Sequence, residues 1–510
     1  MNLKHIFIPA IIAIASEGLS QTYNIRDFGA VADGKTLNTA AIQQTIDKCY
    51  SMGGGMVYVP TGVYVTGTIH LKSNINLHLE AGAVLKGSTL MSDYEPFERP
   101  GFGKTHYGML FTLNAENVSI TGSGTFDGSE ETFFNWNKAK KIEWGGTTHT
   151  RQKENFRKVI SGIGDGPVDP LASRPRQMII FSQCKNVLVE NVLIAKSPFW
   201  TLHFADCDGV IVKGVKIWNS LETPNSDGLD ITSCNNVNVS DCDIRAGDDA
   251  IAITGYAYHY ELPGYYNLRH KSENINISDC NLQSRSSGIR IGFEDQNTVR
   301  NINISNINIF DSNRGIGIFV RDSGSIENIN ISGATIETRL HTGDWWGNGE
   351  PVHISAIRSK NGGIIGQVKN VTLRDIICRS ENGILLYGTD ESILENIRFE
   401  NIRFKLLNSA LNEYAGGNID LRGCLDPKQS LFEHDIPGLY ARFVTNLVIN
   451  DFALEWENPQ YPFFTHGIEV ENFRTLRINN FRGSGAPGNA SAKPVSIENG
   501  SDFEQSPENK

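Results

Sequence analysis

The chain has 510 residues, 20% of them charged, a formal charge of −11 and a pI near 5.6. That balance excludes the basic stripe a nucleic-acid groove needs. The eight cysteines include no C-x-x-C pair, which argues against a zinc site and leaves buried thiols used as small hydrophobes as the default.

Residues 1–20 read as a cleavable export leader: Lys4 and His5, the apolar run Ile6 to Ala15, then Gly18-Leu19-Ser20. The run is too short to span a bilayer. The expected mature chain starts near Gln21 and is secreted or periplasmic, with no membrane span. Thr39 to Tyr50 is predicted as a helix, with Ala41, Ile42, Thr45, Ile46 and Cys49 on one face. It is placed as a cap over the first turn of a strand-rich body. Met56 to Pro60, Gly62 to Leu71 and Ile75 to Ser88 alternate apolar and polar residues as strands do.

From Lys185 one pattern recurs: an Asn or Gly, alternating aliphatic residues, then a polar corner. KNVLVENVLI (Lys185), NNVNVSDCDI (Asn235), ENINISDCNL (Glu273), RNINISNINI (Arg300), ENINISGATI (Glu327), KNVTLRDIIC (Lys369) and ENIRFENIRF (Glu395) all carry it. Asn274, Asn301 and Asn328 are spaced 27 residues apart, and Asn370 and Asn396 are 26 apart. A short repeat of alternating strands, with no room for a long helix, predicts an all-β solenoid, a right-handed parallel β-helix with an N-terminal capping helix and long loops. A propeller is the weaker alternative. Asn tolerates left-handed backbone, so the recurring Asn is expected to stack as a corner ladder. One domain is expected over 21–482. The segment 483–510, rich in Gly, Ser, Ala and Pro, is read as a flexible tail.

Three aspartates stand out: Asp227 in NSDGLD, and Asp248 and Asp249 in AGDDAIAI. Asp248 follows Asp227 by 21 residues, close to one turn, which stacks the carboxylates on one wall. Crowded carboxylates cannot all ionise freely, so one keeps a proton to donate while others orient water. Adjacent residues of a regular strand face opposite ways, so Asp248 and Asp249 share a groove only if the backbone turns, and Gly247 permits that. The competing reading is three solvated turn residues. Asp230 is read as structural, hydrogen-bonding a neighbouring turn.

NSDGLDI and AGDDAIAI, together with SPFWTLHF (Ser197 to Phe204), DFGAVADG and LEAGAVLKGS, resemble glycoside hydrolase family 28. This is the polygalacturonase and rhamnogalacturonase group of the pectin-lyase-like superfamily. The resemblance implies the parallel β-helix, Asp248 as general acid, and Asp227 and Asp249 as the groups activating water. It also implies inversion at the sugar carbon, with acid and base roughly 6.5–9.5 Å apart. No cofactor and no metal is implied. Asn225, which opens the first motif, is a candidate substrate contact.

The chain also departs from that pattern. The family follows its GDD with GHG and RIK segments, whose places are taken here by SSGIRIG and NRGIGIFV. Ser287 therefore stands at the family His, and Gly317 and Phe319 stand at the family Arg and Lys. Arg290, between inward Ile289 and Ile291, should point outward and can hold a carboxylate through its fork. Arg314 and Arg321 are further candidates, each with a plain surface reading beside it.

Two loops carry aromatic residues suited to sugar faces. One runs from Gly255 to Ser272 and includes Tyr258 and His259. The other runs from Arg339 to His353 and includes Trp345 and Trp346. With the insertion from Phe134 to Arg176 they can wall off one end of the groove, which favours attack from chain ends. The leading expectation is a monomeric, exported hydrolase of a pectin-like or other acidic polysaccharide. A Ca²⁺-dependent lyase on the same coil, with Arg290 as base, and a non-catalytic glycan binder are the alternatives.

Overall fold

The computed structural model describes residues 21–99, 103–141, 150–157, 166–256, 268, 270–294, 297–459 and 461–506. The expected leader, and Tyr258 and His259, lie outside the described residues.

The alternating segments form strands, and 33 of them join one sheet whose pairings are all parallel. Each turn of chain lays its strands on those of the turn before. Ile275, Ile302, Ile329, Val371, Ile397 and Leu447 follow one another in register on six successive turns. All six are buried in the single core that runs along the coil axis. Alternation with period two thus becomes an inward aliphatic stack and an outward polar face. Parallel pairing throughout the main sheet excludes a propeller.

The corners explain the asparagines. Asn274, Asn301, Asn328, Asn370, Asn396 and Asn446 all have φ between 56° and 60°. Each amide donates to the Oδ1 of the Asn one turn earlier, as from Asn301 to Asn274 (3.2 Å), Asn328 to Asn301 (3.1 Å) and Asn396 to Asn370 (2.8 Å). Longer loops leave this ladder in register. The steps into Asn274, Asn370 and Asn446 span 38, 42 and 50 residues, yet their side chains still bond.

Helix α1 (Thr39–Ser51) buries Ile42, Thr45, Ile46 and Cys49 and packs over the first strands. It covers apolar edges that the open end of a solenoid would otherwise expose. The far end corrects the expected frayed tail. Val495–Glu498 and Ser501–Ser506 are strands paired in parallel with Ile468–Asn479, so the coil runs on to Ser506. Their side chains, half-buried at most, made the segment read as a tail. All eight cysteines are free thiols and seven are buried. No described helix is long and apolar enough to cross a membrane.

One column of strands carries the site: β1 (Leu202–Ala205), β2 (Leu229–Thr232), β3 (Ile251–Thr254), β4 (Ser287–Phe293), β5 (Arg314–Val320) and β6 (Val352–Ala356).

Candidate active site

The acidic residues sit where chain enters β2 and β3. Asp248 and Asp249 lie in the bend between Asp243–Ala246 and β3, outside regular strand, so strand alternation does not separate them. The bend needs Gly247. A Cβ there would lie 2.2 Å from the Thr223 carbonyl oxygen and 2.8 Å from that of Ser220. The Gly247 N–H donates to Ser226 Oγ (3.0 Å), and Ser284 Oγ donates to the Asp248 carbonyl (2.6 Å), which fixes the bend from both sides.

One carboxylate oxygen from each of Asp227, Asp248 and Asp249 lies within 4.8 Å of the others, closer than the roughly 6.5–9.5 Å that the family resemblance implied for acid and base. All three are buried: 3%, 8% and 4% exposed. Burial, then the neighbouring Asp249, push Asp248 up to about 6. Burial and the charge of Asp248 hold Asp227 well above the ordinary carboxylate range. Asp249 is ion-paired with Arg290 and accepts from the Ser287 N–H (3.0 Å). Asp248 accepts from the Asn225 N–H (3.3 Å) and the Asp249 N–H (3.1 Å). The arrangement therefore holds one charge-balanced carboxylate beside two that favour their protons. That is the asymmetry an acid–base pair requires. A cation-binding reading of the trio competes with Arg290, which already occupies Asp249.

Asp230 belongs to the same wall. It lies in β2, in register with Ala252, which is followed by Arg290 and then Gly317. It is buried, burial raises its pKa, and its Oδ2 has no hydrogen-bond partner among the described residues. The expected hydrogen bond to a neighbouring turn is absent at that atom. Alternation in GLDIT marks an outward-facing Asp, and the charges of Arg290, Asp249 and Asp248 act on it.

A cavity of about 330 Å³ opens over the trio. Trp200, Tyr256 and Asn225 line one part of it. Arg290, Arg314, Arg321, Phe293, Phe319 and Trp346 line another, with His353, Asp420 and Arg422. Asn225, Arg290, Arg314, Arg321 and Trp346 are thus brought together around one cavity. The plain surface reading of Arg314 and Arg321 does not hold, since they are 4% and 1% exposed. Arg290 points outward as expected, but its fork is already engaged with Asp249 and with the Gly292 carbonyl (2.9 Å). Burial would lower its pKa, yet the facing Asp249 raises it overall.

Two expected substrate contacts are placed differently. Ser287 is fully buried, and it serves Asp249 through its backbone N–H rather than through its side chain. Trp345 is also buried, and its carbonyl accepts from Arg157 (3.1 Å) and from Arg422. Strand periodicity says nothing about which of two adjacent loop tryptophans faces the cleft.

Asp420 and Arg422 are absent from the residues that the motifs single out. They come from the loop that precedes Leu439–Trp456 and folds back over the cleft. Arg422 grips Asp420 through Nε (3.0 Å) and Nη2 (2.8 Å) and reaches Asp344 through Nη1 (3.1 Å). Burial raises the Asp420 pKa, but Arg422 and Arg157 bring it well below the ordinary range. The alternation in NIDLRG (Asn418 to Gly423) put both residues on one face, which was the available signal.

This fold and site define a parallel β-helix with a buried acidic centre in an arginine-lined cavity. Residues 169–411 match the model of glycosyl hydrolases family 28, and residues 22–150 match the model of rhamnogalacturonase A/epimerase, pectate lyase-like proteins. The matched region 169–411 holds the whole aspartate cluster. A probable polygalacturonase of Vitis vinifera is 28% identical over 253 residues, covering 46% of this chain and 46% of the relative. An exo-poly-alpha-D-galacturonosidase of Dickeya chrysanthemi is 27% identical over 266 residues, covering 47% and 43%. The chain thus spans under half the length of these curated relatives. The family 28 exopolygalacturonase of Yersinia enterocolitica shares the fold, with TM-score 0.61 at 18% identity over 95% of this chain and 79% of that one.

Proposed function

We propose that this chain hydrolyses glycosidic bonds in a uronate-containing, pectin-like polysaccharide by an inverting acid–base mechanism. The observation that carries this reading is the clustering of Asp227, Asp248 and Asp249 in one cavity, with Arg290 balancing Asp249. Asp248, protonated below about pH 6, donates to the leaving oxygen. Asp227 and Asp249 orient the attacking water on the other face of the sugar; Asp249 takes its proton as the water oxygen bonds the sugar carbon, and exchange with solvent returns a proton to Asp248. Arginines on the cavity wall suit an acidic sugar, and Trp200, Tyr256 and Trp346 offer rings to its apolar faces.

Residues 1–20 support export, which places the enzyme with an extracellular or periplasmic polysaccharide. The curated relatives named as polygalacturonases support the pectic substrate. One chain holds every residue given a role in the reaction, so a monomer is the working unit; light scattering of the purified protein tests this.

The lyase reading draws on the same oxygens, which lie close enough to hold a cation. A panel of pectic and algal polysaccharides separates the two. Hydrolysis gives new reducing ends without ultraviolet absorbance and is indifferent to chelator. Absorbance from an unsaturated uronate, lost with chelator, would establish the lyase. Binding without turnover would establish a glycan-binding coil.

A further inference from the structure

The two turns after the aspartates hold arginines that the acid–base chemistry does not use. Ser287 occupies on its turn the place that Asp249 occupies on the turn before, and Arg314 is in register with Ser287. Arg314 thus lies about 10 Å along the coil from Asp249, at ~4.8 Å per turn. Gly317 leaves room on β5, and the Phe319 ring fills it, since a Cβ on Gly317 would lie 2.6 Å from that ring. Two guanidiniums approach the Phe319 ring, with Arg314 Cζ 4.9 Å and Arg321 Cζ 5.2 Å from its centroid.

Each guanidinium keeps a buried Nε without a hydrogen-bond partner. Arg314 donates no side-chain hydrogen bond among the described residues, its Nε is buried without a partner, and its ion contact with Glu350 is long, at 3.7 Å. Arg321 spends Nη1 on the carbonyls of Val320 (3.2 Å) and Ser355 (3.3 Å) and Nη2 on Ser355 Oγ (3.1 Å), while its Nε also lacks a partner. No carboxylate lies within ion-pair distance of Arg321 among the described residues. A buried cation left with open donors is unfavourable by several kcal/mol unless an anion meets it. Burial accordingly pulls Arg321 down to about 10.

The loops that carry Trp346 and Asp420, which both line the cavity, are tied to each other. Arg422 ties the loop around Asp420 to Asp344 (3.1 Å), and Asn348 Nδ2 donates to the Asn418 carbonyl (2.9 Å).

We infer that Arg314 and Arg321, both seated against Phe319, form a carboxylate subsite for the terminal uronate of the substrate chain. This rests on the reading of the site as a glycosidase of acidic polysaccharide and specifies where the acid group lies. The anion is a planar sugar carboxylate, matched to the open edges of the two guanidiniums. With the loops interlocked beside it, the sugar held there is the last of its chain, and cleavage is confined to chain ends.

The test uses the full chain carrying Asp248→Asn, titrated with trigalacturonate and with its fully methyl-esterified form. The acid should bind at least about tenfold more tightly than the ester, as expected for a charge-assisted fork. That preference should collapse to under about threefold in Arg314→Gln and Arg321→Gln. Arg314→Lys, which keeps the charge and loses the fork, should fall between. Equal affinities for acid and ester in the Asp248→Asn parent would overturn the subsite even if the arginine variants misfold. The unmodified enzyme on long polygalacturonate should release one short product from the first minutes with little loss of viscosity. Early viscosity collapse would overturn the restriction to chain ends. Acid-selective binding without any turnover would sink the hydrolase reading while leaving the subsite standing.

Discussion

At the scale of single residues, the site works by unequal treatment of like groups. Asp249 has Arg290 beside it, whereas Asp248 is held up to about 6 by burial and by the charge of Asp249. Asp248→Asn should lower kcat by about 10²–10⁴-fold, the range general-acid catalysis contributes, with far-ultraviolet circular dichroism unchanged. Near-normal turnover would remove Asp248 from the mechanism. The pH profile carries the same information. An acid works in its protonated form, so kcat/KM should fall as pH rises past the Asp248 pKa. Arg290 pulls that pKa down, and Arg290→Met should therefore move the alkaline limb to higher pH while reducing the rate. A limb that stays in place, or moves to lower pH, would separate Arg290 from the acid.

At the scale of elements, the corners do more than close turns. A side chain at φ 59° costs about 1–2 kcal/mol in residues that lack the local hydrogen bonds of Asn. Asn328 also bonds Asn301 below (3.1 Å) and Asn370 above (2.9 Å). Asn328→Leu should cost about 2 kcal/mol or more in urea unfolding. Asn330→Leu, two residues on in the same strand and without the left-handed backbone, should stay within about 0.5 kcal/mol. Equal costs would show that the ladder is incidental. Because the ladder spans the longest insertions without slipping, the loops vary freely while the strands beneath the site stay in register.

At the scale of the whole molecule, the acidic wall works against stability. Burial holds the folded-state pKa of Asp230 well above its unfolded value, so the folded chain binds more protons there. Stability from this group is greatest below the unfolded pKa and is lost as pH rises toward the folded one. Asp230→Asn, which mimics the protonated form, should raise the thermal midpoint at pH 7 by about 1–2 °C and by less at pH 4. A lower midpoint at pH 7 would mean that Asp230 is an ionised partner of Arg290. The rigid coil opposes this destabilisation through one continuous apolar stack capped by α1.

Much of this was legible in the sequence because it depends on neighbours along the chain. Period-two alternation, a repeat near 27 residues and Asn at each corner fix the coil, its inward stack and the ladder. The interval between Asp227 and Asp248 puts the acids on one wall. What needed the tertiary structure was contact between segments far apart in sequence. Arg422 meets Asp344, 78 residues away, beside the cavity, and Trp346 lines that cavity where Trp345 does not. The bonds of Arg290, and the open donors of Arg314 and Arg321, were likewise invisible in the sequence. Repetition determines how strands stack, whereas insertions carry no period, and where they fold is decided only by what they meet.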